Sequence, residues 1–203
     1  YSRQERVTDD SPYMGTKLIE KLFRGCTIVT DDMHNPESNI PGVRNEMGAV
    51  VANNIALMMA RNEITPMVFV APDEGATDRA LRYTSTYSRF YDMPVLTICL
   101  KKERKDGMVV SYLSESNKDL LKSFMTNYHR TNIVVVDDIL DGGRTLVNTG
   151  NIILGEVGEK FKDRLHLSIT HGIFSSSSTE ALLRKTFKNI TVANTVKCIK
   201  RHD

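Results

Sequence analysis

The chain has 203 residues, enough to bury one good hydrophobic core and part of a second. Its net charge of +2, with 26% charged residues and no basic block, indicates a mixed surface and does not suggest a nucleic-acid-binding protein. Cys26, Cys99 and Cys198 lack the spacing of a disulfide framework or a zinc site, and no apolar run could span a membrane, so a cytoplasmic protein without a membrane partner is expected.

Strands and helices alternate along the sequence. In chain order, the pattern predicts a helix over 13–23, a strand over 26–30, a helix over 46–61, a strand over 66–71, a helix to about 90, a strand over 94–100, a hairpin arm over 108–113, a helix over 118–128, a strand over 133–136, a helix over 146–154, a strand over 165–173, a helix to about 187 and a strand over 190–193. This alternation predicts an α/β fold with a mostly parallel sheet and helices on both faces.

The strand over 133–136 consists of four β-branched residues, which indicates burial on both faces. Asp137 and Asp138 follow it, and then comes a glycine-containing loop before the next helix. A strand, a glycine-rich turn and a helix together aim backbone N–H groups at an anion, whereas two acids suit hydroxyl groups or a hydrated Mg²⁺. Ribose 5-phosphate has a phosphate that suits the loop and hydroxyl groups that suit the acids. The alternative interpretation is an ordinary strand–turn–helix that binds no ligand. The loop is Asp141-Gly142-Gly143-Arg144-Thr145.

Polar side chains also follow three other predicted strands. Because the carboxyl ends of parallel strands meet at one edge of a sheet, we expect these residues to converge on one edge or on two facing ones. The residues at the four strand ends are Asp32 and His34, Asp73 and Gly75, Lys102 and Arg104, and Asp137 and Asp138.

The pattern Asp-Asp-x-x-Asp-x-Gly-x-Thr behind an apolar strand resembles the ribose-phosphate signature of the type I phosphoribosyltransferase fold. The order and spacing of the motifs along the whole chain are similar to those of the ribose-phosphate pyrophosphokinases. These motifs are Tyr1-Ser2-Arg3-Gln4, Asp32-Met33-His34, Pro72-Asp73-Glu74-Gly75, Lys102-Glu103-Arg104-Lys105, the stretch from Asp137 to Thr145, Thr170-His171-Gly172-Ile173-Phe174-Ser175 and Asn194-Thr195.

The resemblance implies two related domains of type I phosphoribosyltransferase fold. Residues 1–61 would be the remainder of a first domain that is truncated at its N-terminus, and residues 62–203 would be the second domain with the ribose-phosphate loop. The resemblance also implies a homo-oligomer.

The activity implied by the resemblance is transfer of the diphosphoryl group of MgATP to the 1-hydroxyl of ribose 5-phosphate, which gives phosphoribosyl pyrophosphate and AMP. Phosphoryl transfer needs cations around the phosphates and a clamp on the acceptor. By the resemblance, Lys102 and Arg104 are the catalytic residues, Arg3, Gln4 and His34 bind ATP, His34 and Asp73 bind Mg²⁺, and Asp137, Asp138, Asp141, Gly142, Gly143, Arg144 and Thr145 bind the acceptor.

The sequence departs from the family pattern at Arg144, where the family usually has glycine, and at Ala76, where a second glycine is common. An arginine beside the phosphate loop could tighten ribose 5-phosphate or indicate an acceptor with more phosphate, such as ADP-ribose. A non-catalytic regulatory homologue and a nucleobase phosphoribosyltransferase are the further alternatives. Because Lys102, Arg104 and Asp73 are all present, the catalytic interpretation is favoured over the regulatory one.

Overall fold

A computed structural model describes residues 21–34, 42–60, 63–105, 107–193 and 195. Most of the helix predicted over 13–23 lies outside these residues, and only its end is described. Gly25 follows that end with a φ of +83°, a left-handed conformation that suits glycine after a helix.

The described strands and helices alternate as predicted. The strands are β1 (Ile28–Thr30), β2 (Val43–Asn45), β3 (Met67–Ala71), β4 (Val95–Cys99), β5 (Lys101–Lys105), β6 (Met108–Tyr112), β7 (Asn132–Leu140), β8 (Leu165–Gly172) and β9 (Asn189–Val192). The helices are α1 (Met47–Met59), α2 (Thr77–Phe90), α3 (Glu115–Asn127), α4 (Arg144–Val157) and α5 (Ser177–Arg184), with 3₁₀ turns at Glu74–Ala76 and Glu159–Arg164. None of the described helices is both long enough and apolar enough to cross a bilayer.

The central sheet is parallel throughout, with the strand order β4-β3-β7-β8-β9. This confirms the predicted mostly parallel sheet. Strands β1 and β2 form a separate parallel pair, and β5 and β6 form an antiparallel hairpin, as predicted for the arm over 108–113. Since β7 lies in the middle of the five strands, the residues that follow it are placed at the centre of one sheet edge.

Both faces of β7 are covered, which confirms the interpretation of its four β-branched residues. Ile133 and Val135 pack against α3 and α4, whereas Val134 and Val136 face α1 and α2. All four side chains are fully buried, and the apolar area that they remove from water is a main source of stability. Helix α1, which ends before residue 61, therefore shares a core with β3 and β7, which follow that residue. The predicted division into two domains after residue 61 stays a prediction.

Strand β7 is longer than the sequence predicted. It continues through Asp137 and Asp138 to Leu140 because the long strand β8 keeps pairing with it, up to Leu140 opposite Gly172. On its other side, pairing with β3 ends at Val135. The two acids are therefore held by a strand on one side and left open on the other.

Helix α4 also begins earlier than predicted, at Arg144 rather than at residue 146. Arg144 and Thr145 thus form the first turn of the helix rather than part of the loop. Helix α3 begins at Glu115 because the Ser114 hydroxyl accepts a hydrogen bond from the N–H of Asn117, 3.4 Å away.

Two glycines of α4 differ in the space around them, which gives a matched test of packing. A methyl group at Gly150 would lie 2.6 Å from Thr186 Cγ2 and 3.1 Å from Phe187 Cζ, whereas one at Gly155 would meet no atom within 4 Å. We expect Gly150→Ala to lower the free energy of unfolding by about 1–3 kcal/mol through overpacking. Gly155→Ala should raise it by about 0.5–1 kcal/mol through helix propensity. Urea denaturation measures both, and equal effects would contradict the packing described for α4.

Candidate active site

A buried arginine, Arg79 of α2, lies at the carboxyl ends of the strands. Only 4% of its side chain is exposed. Its Nε and Nη2 atoms donate hydrogen bonds to Oδ2 and Oδ1 of Asp32, at 2.9 and 3.0 Å. This fork-to-carboxylate geometry is the strong, directional form of an ion pair, and it fixes the end of β1 against α2.

The same guanidinium faces the two acids of β7. Its Nη1 atom lies 3.8 Å from Oδ1 of Asp137, and its Nη2 atom lies 3.7 Å from Oδ2 of Asp138. These distances allow electrostatic attraction but are too long for hydrogen bonds. Arg79 therefore compensates the charge of Asp137 and Asp138 while its hydrogen bonds go to Asp32.

Strand β8 holds Asp32 from the other side. The Thr170 hydroxyl donates to Oδ2 of Asp32 at 2.7 Å, and Nε2 of His171 donates to the Asp32 carbonyl oxygen at 2.9 Å. His171 also contacts the Thr195 hydroxyl through Nδ1, at 2.7 Å. His171, which belongs to one of the sequence motifs, thus joins the ends of β1 and β8.

Asp137 and Asp138 differ in their proton affinity. Burial raises the pKa of Asp137 well above its ordinary value, and the charge of Asp138 adds to this effect, whereas Arg79 opposes it. Burial also acts to raise the pKa of Asp138, but Arg79 and the hydrogen bond from His34 outweigh burial, so the pKa of Asp138 is lowered. Asp138 is therefore the acid that stays ionised, and Asp137 is the one that takes a proton more readily.

His34 is oriented by Asp138. Its Nδ1 atom lies 2.6 Å from Oδ2 of Asp138, while 68% of its side chain is exposed. Since an ionised carboxylate can only accept, Nδ1 carries the hydrogen and Nε2 is left to face solvent. This pairing brings the end of β7 to the segment after β1, as the sequence predicted.

Lys102 of β5 forms an ion pair with Asp73, which follows β3. Arg104 is two residues further along the same strand, and alternation places it on the side of Lys102. The 3₁₀ turn that directly follows Asp73 contacts β7, and the charge of Asp73 contributes to the raised pKa of Asp137. Arg3 and Gln4, predicted to bind ATP, lie outside the described residues.

The loop from Asp141 to Thr145 ends in an open helix N-terminus. Gly143 precedes α4 with a φ of +73°, and a methyl group there would lie 3.3 Å from Thr179 and Leu183 of α5. A glycine is therefore needed at this position. The Asp141 carboxylate accepts a hydrogen bond from the N–H of Ser175, which ties the loop to the segment before α5.

The first turn of α4 contains no acidic residue, and Arg144 and Thr145 are exposed there. The first N–H groups of a helix have no partner within the helix and carry a partial positive charge. Gly142 also has open space where a side chain would begin. The loop therefore presents the geometry that binds an anion, next to the acids of β7.

No group of three or more His, Cys, Asp or Glu side chains within the described ranges is arranged to hold a metal ion. The predicted ligands His34 and Asp73 each have another partner, Asp138 and Lys102 respectively. A metal at this edge would consequently need further ligands from substrate phosphates or water, an arrangement that Mg²⁺ commonly adopts.

Sequence reasoning missed Arg79. A signal for it was present, because Arg79 is followed at helical spacing by Tyr83 and Tyr87, which are buried on the same face of α2. A charged residue on an apolar helix face is rarely buried without a charged partner. The sequence alone does not identify Asp32 as that partner, since 47 residues separate the two.

Known proteins similar to this chain include several ribose-phosphate pyrophosphokinases. That of Pyrococcus abyssi is 26% identical over 202 residues, which cover 97% of this chain and 62% of that protein. That of Thermococcus kodakarensis is 26% identical over 204 residues, which cover 97% of this chain and 63% of that protein. The chain is similar in sequence to the ribose-phosphate pyrophosphokinases. It spans about three fifths of the length of these curated relatives.

The fold comparison agrees with the resemblance read from the sequence. The crystal structure of phosphoribosylpyrophosphate synthetase from Mycobacterium smegmatis matches with a TM-score of 0.68 and 18% identity, over 99% of this chain and 59% of that chain. This match confirms the predicted type I phosphoribosyltransferase-like α/β fold. No family model matches the chain.

The ion pair of Asp32 and Arg79 predicts a large effect on stability. Asp32→Asn leaves the buried Arg79 charge without its hydrogen-bonded partner, so we expect the free energy of unfolding to fall by about 3 kcal/mol or more. Asp78→Asn is the control, because Asp78 pairs with the exposed Arg82 on the same helix, and it should change stability by less than about 0.5 kcal/mol. Urea denaturation separates the two variants, and a small effect of Asp32→Asn would contradict a buried ion pair.

Proposed function

We propose that the protein is a ribose-phosphate diphosphokinase, an ATP-dependent enzyme that transfers the diphosphoryl group of MgATP to the 1-hydroxyl of ribose 5-phosphate. The observation that carries the proposal is the adjacency of two acids, Asp137 and Asp138, to an open helix N-terminus, with the Lys102–Asp73 ion pair after the neighbouring strand β3. The relationship to the ribose-phosphate pyrophosphokinases supports it.

The acceptor would lie along the end of β7 and the start of α4. Its phosphate would accept hydrogen bonds from the first N–H groups of α4 and from the Thr145 hydroxyl, with Arg144 supplying positive charge. Its 2- and 3-hydroxyls would donate to the carboxylates of Asp137 and Asp138. One end of the proposed site therefore favours an anion, and the other end favours hydroxyl groups. Ribose 5-phosphate has a phosphate for the first end and hydroxyl groups for the second.

The triphosphate would lie on the side of β5 and His34. Lys102 and Arg104 would neutralise the charge that develops on the transferring phosphates as the acceptor oxygen attacks the β-phosphorus and AMP leaves. The exposed Nε2 of His34 is placed for a phosphate oxygen or a metal ion. Arg3 and Gln4 remain the predicted ATP-binding pair.

Any magnesium ion in this site would be shared with the substrate, because the described residues include no group of three or more ligands arranged for a metal. Asp73 and Nε2 of His34 would hold it, and the remaining ligands would be phosphate oxygens and water. A bound Mg²⁺ would offset the negative charge of the triphosphate. Because Lys102 now pairs with Asp73, a cation on Asp73 would release Lys102 toward the phosphates.

Arg144 favours a second candidate acceptor. It is exposed, and a cation is unfavourable at a helix N-terminus unless an anion is bound there. An acceptor with more phosphate than ribose 5-phosphate, such as ADP-ribose, would use this additional charge. The relationship also suggests a cytoplasmic homo-oligomer that serves nucleotide biosynthesis.

The activity is tested with the full-length protein, MgATP and either ribose 5-phosphate or ADP-ribose. We expect release of AMP and an acceptor that gains the mass of a diphosphoryl group, measured by chromatography and mass spectrometry. A product from ADP-ribose alone would assign the second acceptor. Absence of AMP with both acceptors would contradict diphosphoryl transfer, and pyrophosphate release from phosphoribosyl pyrophosphate and a nucleobase would instead indicate a phosphoribosyltransferase.

Two lysines of β5, Lys102 and Lys105, allow a matched test of the part of the site that is proposed to bind the triphosphate of ATP. Lys102→Ala should lower kcat by about 100-fold or more, because it removes a cation from the transferring phosphates. Lys105→Ala is the control, since Lys105 is exposed and pairs with Glu103 on its own strand. Steady-state kinetics with varied MgATP measure both, and equal losses in the two variants would contradict a catalytic role of Lys102.

A further inference from the structure

We propose that Arg79 is a positioning residue for the acceptor: beyond neutralising Asp32, it holds the carboxylates of Asp137 and Asp138 together where the acceptor hydroxyls would bind. This inference rests on the proposed function, because it concerns the same acceptor site. Arg79 itself is buried and would not contact the acceptor.

The division of contacts around Arg79 supports this function. The two hydrogen bonds of its fork go to Asp32, which also accepts from Thr170. The remaining charge faces Asp137 and Asp138 at 3.8 and 3.7 Å. Attraction at these distances acts on both acids without using their oxygens as hydrogen-bond acceptors.

Local backbone contacts place the two acids side by side. The N–H of Asp138 donates to Oδ1 of Asp137 at 3.0 Å, and the N–H of Ile139 donates to Oδ1 of Asp138 at 2.7 Å. Consecutive residues of a regular strand point to opposite faces, but here both carboxylates approach one guanidinium. Two like charges so close repel each other, and the guanidinium that faces both offsets this repulsion.

A simpler explanation is that Arg79 serves only to balance the buried charge of Asp32. The two explanations predict different outcomes when both charges are removed at once. The double variant Asp32→Asn/Arg79→Gln replaces the ion pair with two amides that can still hydrogen-bond. If the only function of Arg79 were to compensate the buried charge of Asp32, this variant would fold and would bind the acceptor with wild-type affinity.

The decisive experiment measures folding and binding of that double variant in the full-length protein. Urea denaturation reports stability, and isothermal titration calorimetry reports the dissociation constants of ribose 5-phosphate and of MgATP separately. The matched control is Asp78→Asn/Arg82→Gln, which makes the same replacements in the exposed pair on α2. We expect the control to match wild type in all three quantities.

For the double variant we expect a folded protein whose dissociation constant for ribose 5-phosphate rises by about tenfold or more, while that for MgATP changes by less than about threefold. A dissociation constant for ribose 5-phosphate equal to wild type, or a parallel loss of both ligands, would overturn the inference. Wild-type protein that binds no ribose 5-phosphate would contradict the proposed function itself.

Arg79→Lys provides the test if the double variant does not fold. A lysine keeps a positive charge for Asp32, but its single ammonium cannot pair with Asp32 and face both acids of β7 as the guanidinium does. We expect this variant to fold and to bind ribose 5-phosphate more weakly than wild type with nearly unchanged MgATP affinity. Wild-type affinity for ribose 5-phosphate in Arg79→Lys would overturn the inference.

Discussion

The buried ion pair between Arg79 and Asp32 is the interaction on which the arrangement of the site depends. It joins α2 to the end of β1, and Thr170 and His171 extend the connection to β8. Burying a charge is costly unless it is paired and hydrogen-bonded, so the pair forces these elements into one geometry. The guanidinium also faces Asp137 and Asp138, so the same ion pair that joins these elements influences the charge of the proposed acceptor site.

The sheet topology determines which chemistry meets at this edge. Strand β7 lies between β3 and β8, and it extends beyond β3 because β8 continues to pair with it. The 3₁₀ turn after Asp73 contacts β7, and His34, which follows β1, contacts Asp138. Acids, a histidine and the Lys102 ammonium therefore come from four separate strand ends. The start of α4, where we propose that the phosphate binds, lies only a few residues further along the chain.

Local patterns predicted the parts of the fold that depend on neighbours in sequence. The four β-branched residues before Asp137 indicated a strand buried on both faces, and Gly143 occupies the left-handed position that the turn requires. The continuation of β7 to Leu140 was missed because it depends on the length of β8, which is distant in sequence. Arg79 was missed for a similar reason, since its partners are distant in sequence: Asp32 follows β1, and Asp137 and Asp138 lie within β7. The pairing of Lys102 with Asp73 depends on the direction of the β5–β6 hairpin, which strand spacing does not specify.

The central claim is that one edge of the sheet binds the phosphate and the hydroxyls of a ribose phosphate on consecutive segments. The most direct measurement is a crystal structure of the full-length protein with ribose 5-phosphate. The account predicts the phosphate at the first N–H groups of α4, the 2- and 3-hydroxyls on Asp137 and Asp138, and Arg79 still paired with Asp32. Ribose 5-phosphate bound elsewhere, or bound here with its hydroxyls directed away from both acids, would contradict it.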